Sequence, residues 1–181
     1  EFEYENSGSQ KLGTAEGGKK IRLLGVNYVD ELKKSRAGLD EYFLKTIHHE
    51  FVHILNQTKD YPRDFDKITP NGYVNDAWSS DERLEGYLPR GFITNYAQKE
   101  AREDFAEMVS TYIVSTPERW EAMMKAAEGT DKSGREAIEK KLAICKLCYK
   151  ENFGIDLDKV RDAVIEREND VVNGAYDLRS L

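Results

Sequence analysis

The chain has 181 residues and a net charge of −7, with 39% hydrophobic and 34% charged residues. That size and balance suit one domain, with or without a small appendage, built around a modest core. No basic block stands out and no apolar run reaches membrane-spanning length. Nucleic acid, an anionic membrane surface and a transmembrane segment are therefore excluded as expectations.

Residues 1–19 are polar and Gly/Ser-rich, and read as a flexible or loop N-terminal segment. They contain neither a basic n-region nor a hydrophobic h-region, so no signal peptide is visible. Residues 20–181 are expected to form a single domain. A strand is predicted over about 20–29, where Ile21, Leu23, Leu24, Val26, Tyr28 and Val29 give a strand-like pattern. A helix follows over about 40–57, its apolar positions Phe43, Leu44, Ile47, Phe51, Ile54 and Leu55 recurring at a 3.6-residue period. That stripe is expected to be buried.

From 58 to 95 the chain becomes irregular, with Pro62, Pro70, Pro89 and the aromatics Tyr61, Phe65, Tyr73, Trp78, Tyr87 and Phe92. Long ordered loops of this kind are commonly functional. A helix is predicted from about 97 to 114, with Phe105, Met108, Val109 and Tyr112 at core spacing. Thr116 and Pro117 then read as the N-cap and first position of the next helix. Two more helices, about 132–152 and 156–170, complete a chain that is α+β and mostly α. The CKLC run holds Cys145 and Cys148 on the first of these two. With no second CxxC or nearby histidine, they read as packing residues rather than half of a zinc site.

The chemistry concentrates in HEFVH, residues 49–53, which contains two of the three histidines. On a helix, His49 and His53 lie one turn apart on the same face, where both imidazoles reach one metal ion. Glu50 projects beside that ion, placed to take a proton from a water held there. H-E-x-x-H on a helix is the signature of zinc metallopeptidases. Catalytic zinc normally takes three protein ligands. His48 points about 100° away from His49 and cannot be the third. A carboxylate from another helix is the alternative, and EAREDFAE, residues 100–107, is the best source. Glu103 and Glu107 share a helical face, a pairing that suits one ligand and one carboxylate orienting an imidazole, with Asp104 as runner-up.

HEFVH followed about fifty residues later by YAQKEAREDFAE resembles the gluzincin-type pattern of anthrax lethal factor-like metallopeptidases. More closely, IHHEFVHILNQ with GFITNYAQKEAREDFAE resembles the zinc-binding metallopeptidases found among bacterial surface lipoproteins. The resemblance covers roughly residues 17–115 well and the C-terminal helices, from about 116, loosely. It implies a zincin-like catalytic domain with a small or truncated sheet. It implies Zn2+ held by His49, His53 and Glu103, with Glu107 supporting a ligand. Glu50 would be the general base, and Tyr96, seven residues before Glu103, would stabilise an oxyanion. A peptide or protein substrate is implied, and a monomer is expected. The relatives imply an extracytoplasmic location, lipid-anchored at the bacterial outer membrane or periplasm through an anchor lying outside these residues. Two rivals differ in chemistry. One is a zinc-stabilised binding lipoprotein serving glycan or peptide uptake, with Tyr73, Trp78, Tyr87 and Phe92 stacking on sugars. The other is a zinc amidase acting on cell-wall peptides. An intact Glu50 favours catalysis, because a purely structural site needs no base.

Overall fold

The computed structural model describes residues 2–3, 12–24 and 36–175. Three strands form one small sheet in the order β1–β3–β2: β1 (Phe2–Glu3), β2 (Gly13–Glu16) and β3 (Lys20–Leu24). β1 runs parallel to β3, whereas β2 and β3 form an antiparallel hairpin with Gly13 opposite Leu23 and Glu16 opposite Lys20. Gly17 and Gly18 turn that hairpin with φ of +58° and +65°, conformations that cost glycine little, and Lys19 N–H donates to the Glu16 carbonyl. The expectation of loop throughout residues 1–19 is thus corrected. The strand Gly13–Glu16 has no apolar alternation to announce it, and owes its form to pairing with β3 and packing on the helix behind. β3 agrees with the predicted strand over Lys20–Leu24, and its remainder, residues 25–29, lies outside the described residues.

Five longer helices follow: α1 (Lys45–Thr58), α2 (Ala101–Val114), α3 (Pro117–Ala127), α4 (Ser133–Phe153) and α5 (Leu157–Val172). A helical turn at Arg36–Leu39 and a π-helical stretch at Asp40–Leu44 lead into α1. The protein is α+β and mostly α. α3 begins as its sequence dictates, with the Thr116 hydroxyl accepting from Arg119 N–H and Pro117 just inside the helix. α2 starts later than predicted, because the chain first makes a separate 3₁₀ turn at Tyr96–Gln98 and then extends at Glu100.

α2 is the central element. Every residue from Asp104 to Val114 is buried, as expected of a helix enclosed on all sides, here by α1, α4 and α5. Phe105 sits at the middle of an aromatic cluster with Tyr61, Phe65 and Tyr149. Cys145 and Cys148 are free thiols buried in the same core, in keeping with a packing role.

α1 departs from the amphipathic expectation. Its buried residues are Thr46, His49, Glu50 and Val52, and Phe51 is 45% exposed. His49 and His53 turn to the carboxylates of α2, Thr46 and Glu50 to Gly13 of β2, and Val52 joins the core. The apolar stripe is left half-covered. Between α1 and α2, residues 59–100 form the irregular segment the sequence predicts, with 3₁₀ turns at Asn75–Ser79, Glu82–Leu84 and Tyr96–Gln98. It is not a loose loop, since Phe65 and Phe92 are completely buried.

One buried ion pair ties that segment down. Lys141 on α4 and Asp104 on α2 have no exposed side-chain surface, and their charged atoms are 2.6 Å apart. Lys141 Nζ also donates to the Gly91 carbonyl at 2.8 Å and lies 4.1 Å from the Phe92 ring centre. Tyr73 donates to the same Asp104 oxygen at 3.0 Å. Burial drives the Asp104 carboxyl up to about 6 against the opposing pull of Lys141. Removing one partner strands the other charge, so Lys141→Met is expected to lower unfolding stability by ~3–5 kcal/mol in denaturant titration. Lys141→Met combined with Asp104→Asn should recover much of that loss.

Candidate metal centre

The α1–α2 contact brings three ligand atoms together. His49 Nε2 and His53 Nε2 are 3.0 Å apart, and each lies 3.1 Å from Glu103 Oε2. The histidines meet because they are one helical turn apart, with rings at 82° and centres separated by 4.7 Å. Glu103 joins them from the first turn of α2. Among the described residues, these three form a cluster whose ligand atoms all fall within 4.8 Å of one another.

The donor set fits a metal ion on its own chemistry. Three ligands at zinc-like bond lengths on a tetrahedral ion have mutual separations of about 3.3 Å, close to those of this triangle. Charge points the same way. Burial opposes ionisation of His49, yet the Glu103 and Glu107 carboxylates overcome it and push the imidazole up to about 10. Glu103 is held well below the usual carboxylate range, the two histidines outweighing its own burial. The pocket demands positive charge between these groups, and a metal cation meets the demand without a proton trapped between imidazole and carboxylate.

Glu107, one turn after Glu103, is almost fully buried. Its Oε1 lies 2.8 Å from His49 Nδ1, off the straight line of the ring N–H, and so close a carboxylate still favours the tautomer that leaves Nε2 free. Its Oε2 accepts from Thr94 Oγ1 at 2.7 Å and from Lys45 Nζ at 3.3 Å. Although burial opposes it, Lys45 with His49 and Thr94 brings the Glu107 carboxyl down to about 2. Lys45 in turn bonds Glu41 at 2.7 Å, and Arg119 links Glu41 to Asp40.

Glu50 is buried beside the triangle, wedged against the sheet edge. A Cβ on Gly13 would stand 2.8 Å from Glu50 Cγ and 3.0 Å from its Oε1, so β2 must carry glycine there for the carboxylate to keep its seat. Tyr96 approaches from the opposite wall, its ring centre 6.0 Å from that of His49 and packed edge-on to Trp78 at 4.9 Å. Burial and the adjacent Glu103 push its phenol well above the ordinary tyrosine value. A cavity of about 340 Å³ opens between these walls, lined by Leu12, Gly13, Tyr42, Glu50, Trp78 and Tyr96 among others.

The two alternatives considered for the third ligand are placed elsewhere. Asp104 is committed to Lys141 and Tyr73. His48 faces the other side of α1, where burial lowers its pKa to about 4 beside an apolar groove formed with Phe43, Ile155 and Val160. Sequence reasoning missed Thr94, Lys45 and Gly13. Each acts on a residue far away in the chain, and no local pattern marks it.

Fold and site together define a mostly helical α+β protein with a His/His/Glu cluster, placed to hold a metal ion, between two helices. The chain belongs to a family described as "Putative zinc-binding metallo-peptidase", whose model matches residues 1–158. It is also similar to a crystal structure of the same description from Bacteroides caccae ATCC 43185, at 35% identity and a TM-score of 0.77. That match covers 95% of this chain and 66% of the solved one, so the chain spans just under two thirds of its relative's length. The similarity extends past residue 115 into the C-terminal helices. No curated protein matches the chain.

Titration with Zn2+ or Co2+ is expected to saturate at about one ion per chain, as a three-ligand site requires. His53→Ala and Glu103→Ala should abolish that binding, and His48→Ala should leave it unchanged. Calorimetry, or the visible absorption of the cobalt form, gives the measurement.

Proposed function

We propose that this protein is a zinc-dependent peptidase in which His49, His53 and Glu103 hold the ion and Glu50 is the general base. The observation that carries the reading is the seat of Glu50. A buried carboxylate, fixed against Gly13 at the edge of the metal cluster, serves no purpose in a closed structural site. Three ligands also leave a position open for water or substrate, whereas structural zinc sites are usually closed by four protein ligands.

When bound, the ion supplies Lewis acidity and a water of lowered pKa. The chain's own groups do the rest. Glu50 accepts the proton of the attacking water and returns it to the departing amine nitrogen as the C–N bond breaks. The Tyr96 hydroxyl donates a hydrogen bond to the oxygen that gains charge as the carbonyl carbon becomes tetrahedral. Glu107 keeps the His49 ring in register. The cleft rim supports a substrate class as well. Tyr42 is 55% exposed and Leu12 36%, and with Trp78 they give the cleft an apolar lining suited to a large apolar side chain flanking the scissile bond.

Glu50→Gln is expected to retain the metal and lose turnover by at least the ~10²–10⁴-fold typical of general acid–base catalysis. Tyr96→Phe should lower kcat by about 10²–10³-fold, the effect of one oxyanion donor. Cleavage of a mixed peptide library, followed by mass spectrometry with and without a hydroxamate, reads both. Undiminished hydrolysis by the Glu50 variant would remove it from the general-base role.

A further inference from the structure

Thr94 lies in the irregular segment, 13 residues before Glu107 and two before Tyr96, and a single hydroxyl joins the two. Its Oγ1 donates to Glu107 Oε2 at 2.7 Å and accepts from Ala97 N–H at 3.1 Å. Ala97 is the central residue of the 3₁₀ turn Tyr96–Gln98. A hydroxyl has one proton, and it is spent on Glu107; the lone pair that remains in use fixes the turn presenting Tyr96. Both halves of the cleft therefore hang on one side chain, with the carboxylate behind His49 on one side and the phenol across the cluster on the other.

The division of labour at Glu107 gives Thr94 its weight. Oε1 faces His49 Nδ1, so the rotation of the carboxylate group decides how well that imidazole is oriented. Oε2 sets the rotation and has two donors. Lys45 reaches it at 3.3 Å and is shared with Glu41, to which it is closer at 2.7 Å, on a long side chain that can swing toward either. Thr94 reaches it at 2.7 Å on a short, β-branched side chain with little freedom. Lys45 supplies charge and Thr94 supplies direction.

The wall beyond Tyr96 is braced from the same place. Asn95, next to Thr94, donates to the Trp78 carbonyl at 2.9 Å, and the fully buried Gln98 bonds the Leu84 carbonyl at 2.9 Å and Asn95 Oδ1 at 2.7 Å. Trp78 and Tyr96 both line the cleft. We propose that Thr94 is a positioning residue that locks the carboxylate orienting His49 to the turn carrying Tyr96, so that metal affinity and the substrate-facing wall are set together. The proposal rests on the metal-site reading and not on hydrolysis.

Co2+ binding by the full chain tests it independently of turnover. Thr94→Val keeps the shape and removes both hydrogen bonds. It is expected to weaken Co2+ binding about 10–100-fold, the usual cost of losing a group that orders a metal ligand. It should also shift the visible spectrum of the bound cobalt. Thr94→Ser keeps the hydroxyl and should restore both readings. If Thr94→Val does not fold, Thr94→Ala takes its place against the same serine control. A folded variant lacking the hydroxyl that binds Co2+ with unchanged affinity and spectrum overturns the proposal. So does a serine variant as impaired as the valine. Loss of Co2+ binding by His53→Ala in the same assay separates these outcomes from a failure of the metal site itself.

Discussion

The organising constraint of this fold is that the first turns of α2 carry three acidic side chains, Glu103, Asp104 and Glu107, into the interior. Buried carboxylates persist only when each is matched by positive charge and hydrogen bonds. Asp104 is matched from α4, whereas Glu103 and Glu107 are both matched from α1 and share His49. Asp104 takes Lys141 from α4. Glu107 takes Lys45 and His49 from α1, with Thr94 from the irregular segment. Glu103 takes His49 and His53, with which it forms the candidate metal cluster. These charge pairings, within five residues of one helix, fix where α1, α4 and residues 59–100 must sit around it.

The scheme separates tasks that a single carboxylate could not combine. Asp104 is wholly structural, as its burial and its two donors require, and the aromatic segment is anchored through it by Tyr73 and by Lys141 at Gly91. Glu103 is less enclosed, with 13% of its side chain exposed, and it supplies one atom of the His/His/Glu cluster. Glu107 is nearly fully buried at the floor of the cleft and faces His49, one of the candidate ligands. Glu103 and Glu107 thus share the face of α2 turned to His49, and Asp104 takes another face, turned to Lys141. Helical geometry makes that division unavoidable, because consecutive residues point about 100° apart.

The same geometry explains what was legible in the sequence. HEFVH and EDFAE are local patterns, so the pairing of His49 with His53 and the shared face of Glu103 and Glu107 could be read from spacing alone. The Thr116–Pro117 helix start and the run of helices after it were equally local. The misreadings come from tertiary matching. The apolar period of α1 pointed to Phe51 as core, but the helix buries His49 and Glu50 beside Val52, because α2 offers carboxylates to His49 and β2 leaves room for Glu50 at Gly13. The GTAE strand carries no alternation, and becomes a strand only because β3 pairs with it and α1 needs a glycine at Gly13. Lys141 reads as one more lysine on a charged helix. Its partner is 37 residues away, and no periodicity connects them.

His48 and His49 show how far such matching can separate neighbours. They are adjacent in the chain and start from the same intrinsic chemistry, yet His49 is pushed up to about 10 while His48 falls to about 4. Burial acts on both in the same direction, disfavouring the charged ring. What differs is the facing surface. His49 meets two carboxylates of α2, whereas His48 meets the apolar groove between the Asp40–Leu44 turn and α5. Metal binding requires an imidazole whose lone pair points at other donors and whose second nitrogen has an acceptor behind it. His49 has both and, among the described residues, His48 has neither, so the helix face turned to α2 and not the residue type makes His49 the candidate ligand.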